Sequence, residues 1–478
     1  MLTRCLATAT PMMFKLSSLL LPIAPLWILS FQGIAFAQVN TSIQPATSDT
    51  TVVRQSNQID VVGGQSTGGT EPNLIHQFEQ FNLNGADAAN FVVDPEVANI
   101  INLINDSQPS SIDGLLKLTS SDPNLASNAN VFLVNPAGVI FGENVRLSLP
   151  ANLTATSASG LLFEDRYLLS VDGEVNEIAL PNRDGASGSG TPAIGDLDGT
   201  PTGYLMLVES TGSYDPLSTT LPTGSIQNLG ELQVAAGSSV TLIGQYVQND
   251  GDIIAPGGVV TLTANSGNNL LRLSPPGSLI MLDVVEADTL ALVSSPSKDS
   301  AIAALPNTDL AQLLTGGGNQ GATHIQVNAD GSQTLTGSPS LTPTPGTVLV
   351  RGSLDVSDNT PSQDSGSPGQ VTLLGDQINL IGGHISADGI SHAGTISIGG
   401  MPVADGFNAA YVLLDRDSRL SVDSTESRAG IISIWANDTV QFYGEATATG
   451  GSSDLDGIIS IDAGTEVDIR QPTGNTTR

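Results

Sequence analysis

The sequence predicts an all-β protein, a right-handed parallel β-helix (β-solenoid) with loop excursions, and three observations predict it. Glycine and proline are abundant, 52 and 27 residues of 478, while aromatics make up only 4%, so turns are frequent and small side chains lie between them. Two five-residue patterns recur and largely alternate along the chain, each with the period of a strand that has one buried and one wet face. Copies return after roughly 20–30 residues, a length that carries a chain once around a coil.

The first element stands apart from the fold. Arg4 and Lys15 precede an apolar stretch from Leu16 to Phe36, and Ala35-Phe36-Ala37 is the small-x-small pattern that a signal peptidase cuts. Residues 1–37 are therefore expected to be a signal peptide, cut between Ala37 and Gln38. An uncleaved anchor is the rival reading, since the stretch approaches the roughly 20 residues that span a bilayer, but Pro22, Pro25 and the cleavage pattern favour removal. Cleavage takes away two basic residues and no acid, so the mature chain is more acidic still than the formal −32 of the whole. It also removes Cys5, the only cysteine. No disulfide can then support the exported protein, whose stability must come from packing and hydrogen bonding.

The repeats come next. Gly-x-apolar-x-Ala/Val starts at Gly230, Gly251, Gly352, Gly383 and Gly444, and Gly-x-apolar-Ser/Thr-apolar starts at Gly258, Gly369, Gly394, Gly430 and Gly457. In a parallel β-helix each such strand bonds to its equivalents one rung above and below, and the inward Val, Ile and Leu stack into a continuous core. An antiparallel sandwich also has short strands at regular spacing, but it does not demand the same motifs over so long a stretch. Two segments interrupt the pattern, near 184–203 and over 296–345, both rich in Gly, Ser, Thr, Asn and Pro, and read as excursions off the coil. A short helix is expected within Ser300–Leu314.

The most informative residues lie near the mature amino terminus. His76-Gln77-Phe78-Glu79-Gln80-Phe81-Asn82-Leu83 leads to Phe91-Val92-Val93-Asp94-Pro95, then to Ser111-Ile112-Asp113-Gly114-Leu115, and on to Val131-Phe132-Leu133-Val134-Asn135-Pro136-Ala137-Gly138-Val139-Ile140-Phe141-Gly142. This ordered series resembles the amino-terminal domain of filamentous haemagglutinin, the secretion domain of exoproteins exported by two-partner secretion. The resemblance covers about Asn40 to Phe163, and Asn135-Pro136-Ala137-Gly138 matches the family's Asn-Pro-x-Gly signature. At Asp94-Pro95-Glu96-Val97 members often carry Asn-Pro followed by an apolar pair, so an acid here replaces an amide.

Elementary chemistry makes both places turns. Proline fixes φ at the second turn position, Asn or Asp before it bonds back to the backbone, and Gly138 can take a positive φ. The resemblance implies more: that Asn135, Pro136, Ala137, Gly138, Asp94 and Pro95 belong to the region recognised during export. The implied partners are a cognate outer-membrane β-barrel transporter with periplasmic domains, and, upstream of it, the general secretion machinery and signal peptidase.

Other motifs in the sequence carry no catalytic or metal chemistry. Gly64-Gln65-Ser66-Thr67-Gly68 fits Gly-x-Ser-x-Gly, but no helical pattern follows to form the elbow that exposes a nucleophile. His76, His324, His384 and His392 are far apart, and no zinc spacing or phosphate loop occurs. Were Gly199 of Asp196-Leu197-Asp198-Gly199 the sixth position of an EF-hand loop, positions one and twelve would be Ile194 and Leu205, which excludes that loop. The pair Asp454-Leu455-Asp456-Gly457 reads as a solvated acidic face. With 15 Lys plus Arg against 47 Asp plus Glu, nucleic acid is excluded as a partner, because such affinity comes from basic groups that displace counterions. The same shortage weighs against a β-helix polysaccharide lyase or hydrolase, the alternative function, which would have to bind acidic sugars. No catalytic residue, metal or cofactor is expected.

The expectation is thus a secreted or surface-held exoprotein of a Gram-negative type bacterium, an adhesin or structural rod that can meet a host-cell or extracellular glycan surface. Its organisation is expected to be a signal peptide at 1–37, a secretion domain at 38–165, continuing β-helix at 166–295, the excursion at 296–345, and further rungs at 346–478.

Overall fold

A computed structural model of the chain describes residues 40–179, 192–207, 222–273, 282–286, 291–292, 324–327, 333–336, 343–358, 368–400 and 408–470. The signal peptide with Ala35, Ala37 and Gln38, the helix expected within 300–314 and most of the 296–345 excursion lie outside the described residues. Among the described residues the elements are strands and two 3-10 turns, Ile194–Asp196 and Ser453–Leu455. None is a helix long and apolar enough to cross a membrane.

The chain winds as a three-sided parallel coil. The first face stacks Asn73–Asn82, Asn99–Ile104, Asn130–Val134, Leu153–Thr156, Ser239–Gly244, Val259–Ala264, Gln370–Leu374, Thr395–Ile398, Ile431–Ala436 and Ile458–Ala463 in that order. The second face runs from Ser110–Ile112 through Gly138–Phe141, Ser225–Asn228, Tyr246–Asn249, Thr347–Val350, Gln377–Leu380, Tyr411–Leu414 and Thr439–Phe442 to Glu466–Ile469. The third face is split into two sheets. One holds Gln58–Gly63, Ala88–Val93, Leu115–Ser120 and Arg146–Ser148; the other runs from Glu231–Gln233 to Glu445–Thr447.

Register explains why these short strands hold. On the first face Leu74, Ile100, Val131, Leu153, Val240, Val260, Val371, Ile396, Ile432 and Ile459 are successive Cα partners. On the third, Leu232, Ile253, Leu354, Ile385, Leu420 and Ala446 do the same. Each buried Val, Leu or Ile in such a column contributes roughly 1.5–3 kcal/mol of transfer free energy. Gly-x-apolar-Ser/Thr-apolar is thus the first-face strand and Gly-x-apolar-x-Ala/Val the third-face strand. Their leading glycines sit at corners stacked so closely that a Cβ on Gly394 would run into the Gly369 carbonyl oxygen, and one on Gly430 into that of Gly394. The sequence patterns showed two strands per rung. Several second-face strands, such as Tyr246-Val247-Gln248-Asn249, directly follow no glycine and therefore escaped them, although Gly138, Gly224 and Gly346 stand at other second-face corners.

The amino-terminal end is capped. Ser42–Pro45 pairs antiparallel with Asn73–Asn82, as does Gln65–Ser66. The hairpin Thr50–Gln55/Gln58–Gly63 extends the third face. These segments cover edges that would otherwise be open to another chain.

Residues 225–264 form rungs of the coil, and segments on either side of them build an antiparallel sheet that the repeat patterns did not announce. That sheet joins Gly160–Phe163, Tyr167–Ser170, Val175–Ala179, Gly203–Met206, Asn269–Leu273 and Leu282–Glu286. It lies on the outer side of the first face, where Ile101, Leu103, Phe132 and Val134 meet Leu161, Phe163, Tyr204 and Leu271 in a second apolar core. At the corner between first and second face three long connections leave the coil, 157–224 after Leu153–Thr156, 265–346 after Val259–Ala264, and 399–410 after Thr395–Ile398, and at the corner between third and first face 356–369 follows Ser353–Asp355.

Candidate functional site

Asn135, Pro136, Ala137 and Gly138 form the corner between the strands Asn130–Val134 and Gly138–Phe141. The Gly138 N–H donates to the Asn135 carbonyl at 2.8 Å, closing a β-turn with Pro136 at its second position. Asn135 is fully buried and every part of its side chain is used. Its Oδ1 accepts the Ala137 N–H at 3.0 Å, and its Nδ2 donates to the Gln108 carbonyl at 3.2 Å and to the Ser110 hydroxyl at 3.0 Å, both one rung below. Above, the Gly224 N–H donates to the Ala137 carbonyl at 3.0 Å. Gly138 has φ +118°, and a Cβ there would meet the Ser225 carbonyl oxygen, so two requirements converge on glycine.

Asp94 and Pro95 form the look-alike corner between Ala88–Val93 and Asn99–Ile104. The Glu96 N–H donates to Asp94 Oδ1 and the Val97 N–H to the Asp94 carbonyl, both at 3.1 Å. Here the side chain is exposed. An acid is tolerated because nothing asks it to donate.

The Gly64–Gly68 and Asp196–Gly199 motifs meet each other. Gln65–Ser66 is a two-residue strand, and the Ser66 hydroxyl donates to the Thr67 carbonyl at 3.3 Å. Against the loop that follows lies Asp198. Its Oδ1 accepts the Glu71 N–H at 2.9 Å and its Oδ2 the Thr70 N–H at 3.1 Å, and these backbone donors, Glu71 first, hold the carboxyl below its ordinary range. Beside it Leu197 is fully buried and its carbonyl accepts from Asn73 Nδ2 at 3.2 Å. Asn73 heads a ladder: Asn99 Nδ2 donates to Asn73 Oδ1 at 2.9 Å and Asn130 Nδ2 to Asn99 Oδ1 at 2.8 Å. A segment 128 residues away in sequence is thereby locked to the first rung.

Asp196 accepts the Ala193 N–H at 2.8 Å, and Asp456 the Gly450 N–H at 2.9 Å. On the third face Asp388 accepts the Asp423 N–H at 2.6 Å and Asp423 in turn the Thr449 N–H at 2.6 Å. These acids are engaged by the backbone, and no group of three metal-ligating side chains occurs among the described residues. His384 and His392 are exposed, whereas His76 is fully buried; the side chain of His324 lies outside the described residues. Sequence reasoning missed the asparagine ladder. Its signal was present, an Asn before two apolar residues at Asn73, Asn99 and Asn130.

Comparison with known proteins adds a family. The sequence model of the TPS (two-partner secretion) secretion domain matches residues 37–301, more than half of the chain. Among solved structures, the HMW1 secretion domain from Haemophilus influenzae is 16% identical, with 90% of this chain and 98% of that one covered and a TM-score of 0.39. The filamentous hemagglutinin secretion domain is 12% identical, with 90% and 99% covered and a TM-score of 0.32. No curated protein matches the sequence.

Proposed function

Since this chain belongs to the TPS secretion domain family, and is therefore a two-partner secretion exoprotein with a cognate outer-membrane transporter, we propose that it works outside the cell as an adhesin or structural rod. In this reading the general secretion machinery delivers the chain to the periplasm of a Gram-negative type bacterium, and signal peptidase cuts after Ala37. Periplasmic domains of the β-barrel transporter then engage the secretion domain, and the emerging coil folds rung by rung against the rung already formed. A glycan-bearing surface, of a host cell or the extracellular matrix, is the contact proposed for the finished rod.

The observation that carries the export step is the burial of Asn135. Folded, its amide is consumed by Gln108, Ser110 and Ala137 and faces no solvent. A transporter that reads Asn135-Pro136-Ala137-Gly138 must therefore read it before the rung closes. The acidic charge of −32 favours this order, since self-repulsion opposes premature compaction.

Export in the presence of the matched transporter tests the reading. Asn135→Ala with Gly138→Val is expected to abolish most surface or medium protein. If the refolded double variant shows native circular dichroism yet is not exported, the turn is a recognition element. A misfolded variant would make the turn purely structural, and undiminished secretion would reject the assignment.

A further inference from the structure

One column inside the coil runs His76, Asn102, Leu133, Ala155, Leu242 and Leu262, register partners on successive rungs. It is polar only at its first two places, directly beneath the amino-terminal cap. His76 is fully buried. Its Nδ1 lies 3.0 Å from Thr50 Oγ1 on the cap, and the cap's corner passes so close that a Cβ on Gly64 would stand 2.9 Å from the ring. Phe78 and Phe91 flank it at centroid distances of 6.0 and 6.3 Å. The other nitrogen, Nε2, has no hydrogen-bond partner among the described residues, and neither does Oδ1 of Asn102.

We propose that His76 is a proton-operated latch: as a neutral imidazole it holds the cap, residues 42–66, on the first rung, and in mild acid it lets the cap lift while the rungs behind it stay folded. A protonated ring would place a charge, and a second obligatory donor, in an apolar interior. Burial alone pushes His76 from its ordinary 6.5 down to about 4. An opened cap would take up the proton near pH 6.5 and a closed one only near pH 4. The latch therefore holds at full strength above about pH 6.5 and weakens as pH falls toward about 4.

Charged groups on the elements packed against the ring are engaged elsewhere. Asp49 accepts from Gln65 Nε2 at 2.7 Å, Arg54 pairs with Asp87 at 2.8 Å, and Asp60 accepts from Asn90 Nδ2 at 2.8 Å. Glu79 is exposed. None of them contributes to the depression of His76. Lifting the cap would bare the edge of Asn73–Asn82 that Ser42–Pro45 and Gln65–Ser66 now occupy, an edge able to take a strand from another chain.

Hydrogen exchange read by mass spectrometry on the full secreted chain, corrected for the intrinsic pH dependence of exchange, tests the latch. Between pH 7.5 and pH 5 the opening constant of peptides within 42–66 is expected to rise about thirtyfold, with those within 239–264 unchanged. His76→Gln, which cannot titrate, should flatten the response. An equal rise in the variant, or a parallel rise at 239–264, overturns the proposal. If the variant does not fold, NMR titration of the wild-type His76 ring decides alone: a midpoint near 4 supports the latch and one near 6.5 overturns it.

Discussion

Asn135 and Asp94 occupy turns of the same design, and burial alone separates their tolerances. Asn135 donates twice to atoms one rung below, so Asn135→Ala leaves the Gln108 carbonyl and the buried Ser110 hydroxyl without their donor. The expected cost is about 2–4 kcal/mol. Asn135→Asp should cost more, because a carboxylate would face the Gln108 carbonyl with nothing to donate. Asp94→Asn, at an exposed corner, should stay within about 0.5 kcal/mol. Denaturant melts of the three variants check the order, and equal losses at 94 and 135 would contradict it. Both turns were legible because proline and glycine announce themselves locally. The fate of Asp198 was not, because its donors, Thr70 and Glu71, lie more than a hundred residues away and nothing in Asp196-Leu197-Asp198-Gly199 names them.

Strands were legible in proportion to how one-sided their burial is. Thr395–Ile398 buries Ile396 and Ile398 inside the coil and leaves Thr395 and Ser397 half exposed, so period two shows in the sequence. Gly160–Phe163 and Gly203–Met206 are buried at every position, one side in the core against the first face and the other in a small cluster with Leu162, Leu168, Leu205 and Leu270. A strand covered on both sides has no reason to alternate, so its sequence is a short apolar run without a period. The register assignment gives a sharp contrast at one strand. Ile396→Asp should cost about 4 kcal/mol or more by putting an unpaired charge between Val371 and Ile432, whereas Thr395→Asp should change stability by less than about 1 kcal/mol. Similar thermal shifts for the pair would place the register one residue off.

For the whole molecule the governing quantity is charge. A chain of formal charge −32 with 15 basic residues repels itself, and the described ion pairs are few, such as Arg166–Glu177 and Arg272–Asp165 at 2.8 and 2.9 Å. Raising ionic strength from 0.01 M to 0.15 M shortens the Debye length from about 30 Å to about 8 Å. The midpoint of thermal unfolding should therefore rise with salt, and a fall would mean that attractive pairs outweigh the excess of acid. Composition made this much legible at once, and the repeats made the coil legible. Sequence could not show that the coil carries a second layer, because that layer is built from segments separated by two complete rungs.

The corner where the excursions leave has a consequence for how such a molecule can be enlarged. Departures follow Leu153–Thr156, Val259–Ala264 and Thr395–Ile398, and between them Ser239–Gly244 and Gln370–Leu374 turn the same corner through Gln245 alone and through Gly375 and Asp376. Departures thus fall on every second rung. A chain that goes out and comes back needs the width of two strands, about 10 Å, and two rungs at 4.8 Å each supply it. Insertions at neighbouring rungs would compete for the same gap. At this corner, ancestral gain of new segments, or deliberate grafting of a foreign peptide, is therefore expected on alternate rungs.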